Sequence, residues 1–306
     1  MSKYIFAFVA FLLFATPTHA FAAPRVVVSI APIHSLVAGV MEGVGQPELL
    51  LRSGNSPHNY LLKPSQMRSL KQADVVIWVG ENVEGFLTKT VAGLDLDTTI
   101  IELMEVEGIL TLPSREGGAW KTANAHSHHH HDHNSVDGHL WLDPINAMRM
   151  VQVFVAQLSE IDPRNVAVYQ ANGQRLQQQL NALDQHLAQT LAPIRQMPYL
   201  VLHDAYQYFE RRYQLSPAGA VMIDAGRKPG ARRLKEIRQR ANEHNVRCVF
   251  SEPQFQDKFL NVVTEKTNIT MAVLDPMGTD VTPGKKLYFE VLNGIALGLS
   301  NCFIRQ

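Results

Sequence analysis

After Asp162-Pro163 the chain runs to about Ala192 with one glycine, Gly173, and no proline. Within that stretch Leu176, Leu180, Leu183, Leu187 and Leu191 recur in three- and four-residue steps. Side chains at this spacing lie on one face of an α-helix. The opposite face is rich in Gln and Asn, so only one side has to be buried. Pro163 suits the first turn, where a missing N–H leaves nothing unpaired. A helix of roughly 30 residues spans roughly 45 Å, more than the width of a small domain. This one element therefore has to run along the molecular surface from one domain to the next.

On its N-terminal side, residues 25–30 (RVVVSI), 48–51 (ELLL) and 74–79 (DVVIWV) read as buried strands, with helices over 33–41 and 66–72 between them. On its C-terminal side, strands at 199–203, 218–223, 246–251 and 272–275 alternate with helices at 205–213, 231–244, 255–267 and 288–302. Such alternation implies parallel sheets with helical crossovers. The expected fold is α/β: two lobes, each a mainly parallel sheet flanked by helices, joined by one long rigid linker helix. The expected boundaries are 23–160 for the N-terminal lobe, with a helix over 146–158, then 161–193 for the linker and 194–306 for the C-terminal lobe. Residues 113–138, rich in Pro, Gly, Ser and His, lose periodicity and read as a long loop, functional or disordered.

The first residues address the compartment. Lys3, an apolar run over 4–15 and small residues in Thr18-His19-Ala20 and Ala20-Phe21-Ala22 make a secretory signal, expected to end after Ala20 or Ala22. The run is shorter than the roughly 20 residues of a spanning helix. No cysteine near the cleavage site offers a lipid tether, and no later stretch reads as apolar enough to span a bilayer. The mature chain, from residue 23, is expected in the periplasm, soluble and not membrane-anchored. An oxidising compartment permits Cys248 and Cys302 to pair, closing a loop of about 55 residues; two buried free thiols are the other reading. Lys and Arg total 28 and so do Asp and Glu, which argues against nucleic acid or an anionic membrane as partner.

Metal chemistry is announced by six histidines within eight residues: His126, His128, His129, His130, His131 and His133. Neutral imidazole suits zinc, copper and nickel, but a tract this uniform defines no single geometry. It reads as an accessory, low-affinity metal loop. Four other groups fall at the C-terminal ends of strands or in the loops that follow. They are His58 in NSPHNY, His139 in GHLWLDP, His203 in LVLHDAY and Asp275 in AVLDPMG. Open α/β sheets bind ligands in that crevice. Two of the four come from each half of the chain, so a metal held by all of them sits between the lobes. Three nitrogens and one oxygen suit tetrahedral Zn²⁺.

The segments PHNYLLKPSQMRSLKQADVVIWVGENVEGFL, HLWLDP and HDAYQYFERRY resemble signature segments of ZnuA-type zinc-binding proteins, the substrate-binding components of bacterial zinc ABC transporters. The resemblance covers essentially the whole mature chain. It implies two lobes bridged by a rigid helix, His58, His139 and His203 as primary ligands, and Asp275 in the carboxylate position. It also implies Zn²⁺ as the transported ligand, a cognate ABC-transporter membrane permease as partner, and a disulfide like one found in some members. Two positions depart from the pattern: Pro57 stands where some zinc-specific relatives have Glu, and Asn59 where Asp is common. The fourth position then falls to Asp275 or to water. Manganese relatives carry Glu in place of His203, and Mn²⁺ prefers carboxylate-rich sites.

The remaining candidates are weaker. His34 could face the cleft or simply pack; His186 and His244 read as surface residues. Glu81 and Glu84 read by default as solvated charges, with contact to the cleft or the loop as the alternative, and Asp204 as a residue able to orient an imidazole. Arg227, Lys228, Arg232, Arg233 and Lys235 read as a solvated helix face, with a permease-docking surface as the alternative. The expected function is zinc capture and delivery by a monomer that is not an enzyme. The alternatives are a zinc hydrolase with an open coordination position, or zinc buffering by the histidine loop. No HExxH pattern is present and no Glu adjoins a ligand as a general base, which weakens the hydrolase.

Overall fold

The computed structural model describes residues 23–115 and 136–304, apart from Ser53, Asp224, Gly226, Arg227 and Asp257. The signal segment 1–22, the histidine tract 126–133 and Arg227 lie outside the described residues.

The N-terminal half runs β1 (Val26–Val28), α1 (Ala31–Val40), β2 (Glu48–Leu49), α2 (Pro64–Lys71), β3 (Val75–Trp78), α3 (Glu81–Glu84), α4 (Thr88–Val91) and β4 (Thr99–Glu102). Then come β5 (Leu112–Pro113), β6 (Val136–Asp137), α5 (Pro144–Ile161) and α6 (Val166–Leu191). The C-terminal half runs β7 (Tyr199–His203), α7 (Gln207–Tyr213), β8 (Pro217–Met222), α8 (Ala231–Glu243), β9 (Cys248–Ser251), α9 (Lys258–Thr264), β10 (Thr270–Val273) and α10 (Leu287–Ile304).

Two four-stranded sheets result, ordered β2-β1-β3-β4 and β10-β9-β7-β8, with every pairing parallel. The fold class read from the sequence is the fold observed. Parallel strands covered on both faces need apolar residues at successive positions, and they have them. Val26, Val28, Val75, Ile77, Tyr199 and Val201 face a core shared by the two halves. Their alternates face outward, Val27, Val76 and Trp78 into one outer cluster, Leu200 and Leu202 into another.

The shared core decides how the lobes are joined. Leu176, Leu180, Leu183, Leu187 and Leu191 of α6 are all buried in it, together with residues of α1, α5 and α10. At 26 residues, α6 is roughly 39 Å long at 1.5 Å per residue. It is the roof of one continuous core, not a strut between two separate ones. It packs tightly on α5 at Gly173, where an added Cβ would stand 2.5 Å from the Val155 Cγ2 methyl. The α5 helix starts cleanly, because Asp143 accepts a hydrogen bond from the Ile145 N–H and Pro144 occupies the first turn.

Several details differ from the sequence reading. The helices α3 and α4, the strand β4 and the antiparallel ribbon of β5 and β6 are additional elements. The strand expected at 272–275 is β10, two residues earlier, which leaves Asp275 in the following loop. A later stretch does have the length and apolarity of a spanning helix: α10, with a mean hydropathy of 1.4. Half of it is buried against the core, where such composition serves packing. The Cys248–Cys302 disulfide fixes the end of α10 to β9, across a Cα–Cα distance of 6.2 Å.

Candidate metal centre

The three expected histidines arrive from three separate elements. His58 sits on a single 3-10 turn, Pro57–Asn59, and its N–H donates to the Ser56 Oγ at 3.4 Å. His139 opens the 3-10 turn Leu140–Leu142 that leads into α5. His203 is the last residue of β7, on the face that Tyr199 and Val201 present to the shared core. One ligand nitrogen from each can be chosen so that all lie within 4.8 Å of one another. The ring centroids are 5.4, 5.3 and 4.9 Å apart.

The Nε2 atoms of His58 and His139 are 3.4 Å apart. Two nitrogens at about 2.05 Å from a tetrahedral zinc stand about 3.3 Å apart. His139 and His203 are 7% and 3% exposed, and His58 is half-buried. Burial, reinforced by the neighbouring imidazoles of His203 and His139, pushes the His58 pKa well below its ordinary value and keeps that ring neutral. Burial also works against a charged His203, but Glu252, with Asp204 and Asp137, outweighs it and raises the pKa. A divalent cation, supplying positive charge without a proton, answers both conditions.

His139 is held from behind. Its Nδ1 lies 2.7 Å from the Asp137 Oδ1, which also accepts from the His139 N–H at 3.0 Å. That leaves Nε2 for a metal. The ribbon carrying Asp137 is pinned to the opposite lobe: the Tyr208 hydroxyl accepts from the Leu112 N–H at 2.9 Å and donates to the Asp137 carbonyl at 2.6 Å. Trp141 makes a second crossing, its indole N–H donating to the Pro276 carbonyl at 3.0 Å.

Asp275 is not in the group. Its Oδ1 accepts from the Met277 N–H and Gly278 N–H, both at 3.0 Å, and from the Gln254 amide at 2.8 Å; its Oδ2 accepts from the Thr279 N–H. The carboxylate is spent on shaping its own turn. The structure thus brings three of the four expected donors together, not four. Asp204, expected to orient an imidazole, instead forms an ion pair with Arg115, which also binds Glu210 at 2.7 Å.

The three rings form a partition. On one side is a pocket of about 10 Å³, bounded by Pro57, Trp141, Phe255 and Met277. On the other is a hollow of about 280 Å³, lined by Asn82, Ser114, Arg115, Val136 and Ile223. Ser114 follows β5 and Val136 opens β6; the histidine tract lies between them in sequence.

Outside the cleft, His34 packs, its Nε2 lying 3.0 Å from the Pro47 carbonyl oxygen. His186, His244, Glu81, Lys228, Arg232 and Lys235 are exposed, while Arg233 is half-buried and donates to the Ala220 carbonyl. Glu84 contradicts its reading as a solvated charge. It is fully buried and accepts from the Val79 and Gly80 N–H groups at 2.9 and 3.0 Å, and burial pushes its pKa up to about 7. Sequence reasoning also passed over Asp137, Arg115 and Glu252. The strand-end rule that found His203 applies equally to Glu252, the residue after β9.

Two parallel-sheet lobes on one core, with imidazoles from both converging in the cleft, define a cleft-type metal-binding protein. A family model places it further: residues 26–302 match ZnuA, "Zinc-uptake complex component A periplasmic". The chain belongs to this family. It is 35% identical to the high-affinity zinc uptake system protein ZnuA of Brucella abortus over 304 residues, covering 90% of this chain and 91% of that protein. A ZnuA crystal structure matches with a TM-score of 0.75 and 26% identity over 91% of this chain and all of its own. A ZnuA deletion mutant with zinc bound matches at the same TM-score and identity, over 92% of this chain and 98% of that one.

Proposed function

We propose that this protein captures zinc in the cleft through His58, His139 and His203 and delivers it to the membrane permease of an ABC transporter. Convergence of three imidazoles from both lobes, with ligand nitrogens within 4.8 Å of one another and one pair 3.4 Å apart as in a tetrahedral zinc shell, carries this reading. Relatives named as zinc uptake proteins and a related structure with zinc bound support it. Zinc here is cargo, so the chain acts as a binding protein and not as an enzyme. Its place of work is the periplasm, reached through the signal segment 1–22, and it works there as a soluble monomer. Asp275 stays with its turn and water completes the shell. The tract His126–His133 serves as a lower-affinity accessory at the rim.

Calorimetric zinc titration of the wild type, of a variant lacking residues 126–133, and of His203→Ala tests this directly. Tight binding should survive loss of the tract and be lost in His203→Ala. The opposite pattern would overturn the cleft assignment.

A further inference from the structure

Two of the three imidazoles have a carboxylate behind them, but only one pair is closed. His139 Nδ1 and Asp137 Oδ1 are at hydrogen-bond distance, 2.7 Å. His203 Nδ1 and the Glu252 Oε2 are 3.6 Å apart, too far to count as one. Both residues are only 3% exposed. His203 Nδ1 and the Glu252 Oε1 are buried without a hydrogen-bond partner among the described residues. The oxygen nearest the ring is Oε2, the orphaned one is Oε1, and the unpartnered Tyr206 hydroxyl adjoins the same carboxylate. Buried polar atoms left unpaired are rare and costly, so the cluster marks an arrangement that another state completes. Among the described residues no side chain is hydrogen-bonded to the His203 Nδ1, and the adjacent Asp204 is bound to Arg115.

We infer that Glu252 is the positioning residue for His203, closing onto its Nδ1–H when zinc occupies Nε2. The inference rests on the cleft reading proposed above. The movement needed is under 1 Å, from 3.6 Å to an ordinary charge-assisted distance of about 2.8 Å. Closure fixes the tautomer that presents Nε2, aims the ring at the metal and makes the nitrogen a better donor. The arrangement divides the labour. His139 is set before the metal arrives, and His203 is set by its arrival. Glu252 lies at the end of β9 as His203 lies at the end of β7, and the two strands are hydrogen-bonded neighbours. The partner is therefore delivered by the sheet itself.

The test compares zinc affinity, by competition with a chromophoric chelator, across wild type, Glu252→Gln, Glu252→Met, Glu252→Asp and His203→Ala. Unfolding curves of the metal-free proteins are recorded alongside. Glu252→Met should weaken zinc binding 10- to 100-fold, with Glu252→Gln and Glu252→Asp falling between it and wild type. In zinc-loaded protein, the His203 Nδ1–H proton resonance should move upfield in Glu252→Gln while that of His139 stays in place. If Glu252→Met does not fold, Glu252→Gln and the resonance decide. Affinity within twofold of wild type in Glu252→Gln, with an unmoved His203 resonance, overturns the inference. So does loss of a directly bound oxygen in its zinc X-ray absorption spectrum, which would make Glu252 a ligand. Undiminished binding by His203→Ala refutes the cleft reading itself. Loss there with normal Glu252 variants refutes this inference alone.

Discussion

The chemistry of single residues in the cleft depends on what stands behind them. Asp137 holds His139 through one carboxylate oxygen that serves both ring and backbone. Asp137→Asn should therefore weaken zinc binding about 10-fold or more while the protein stays folded; unchanged affinity would show that the ring needs no such support. Glu84 gives a pH signature of its own. Its pKa is raised from 4.5 to about 7 in the folded chain. Below 4.5 it is protonated folded or unfolded and costs nothing. Between 4.5 and 7 the unfolded chain ionises first, so stability should fall by about 3 kcal/mol as pH rises, then level off. Chemical denaturation of wild type against Glu84→Gln from pH 4 to 8 should show this slope in wild type only. The sequence made the three histidines legible because each falls at a strand end or in the loop after it. It made Asp275 look equivalent, because a carboxylate that caps its own turn and one that reaches into a cleft have the same sequence position. The burial of Glu84 was invisible for a related reason: only the fold reveals that two backbone N–H groups at the end of β3 wait for it.

Among the elements, α6 was the most legible, since its leucine stripe runs uninterrupted over many turns. The strand β4 and the ribbon were not, because TIIE is polar at both ends and only partly buried, and the ribbon strands LP and VD lack the apolar run that marked the other short strands. Packing gives two predictions here. At Gly173, alanine gains helix propensity but drives a methyl into Val155. The clash should win, with a net loss of about 1–2 kcal/mol in thermal or denaturant unfolding. The disulfide spans 54 residues of sequence, and a loop of that size is worth about 4 kcal/mol when cross-linked. A Cys248→Ser, Cys302→Ser double variant should lose a comparable amount of stability. It should keep its zinc affinity, because the bridge joins β9 to the far end of α10 and not to any of the three histidines.

At the level of the whole molecule, the shared core argues for a single cooperative unit. Denaturation followed by tryptophan fluorescence and by circular dichroism should give coincident transitions. Separate melting of the two halves would contradict the continuity of the core beneath α6. The radius of gyration from solution scattering should change little between metal-free and zinc-loaded protein, since no thin hinge separates the lobes.

The partition formed by His58, His139 and His203 has a consequence for traffic. Among the described residues, a space barely one water in size lies on one side and a broad hollow on the other, so the hollow is the roomier approach for an ion. An ion entering and an ion leaving by that hollow would occupy the same space, so loading and unloading there exclude each other.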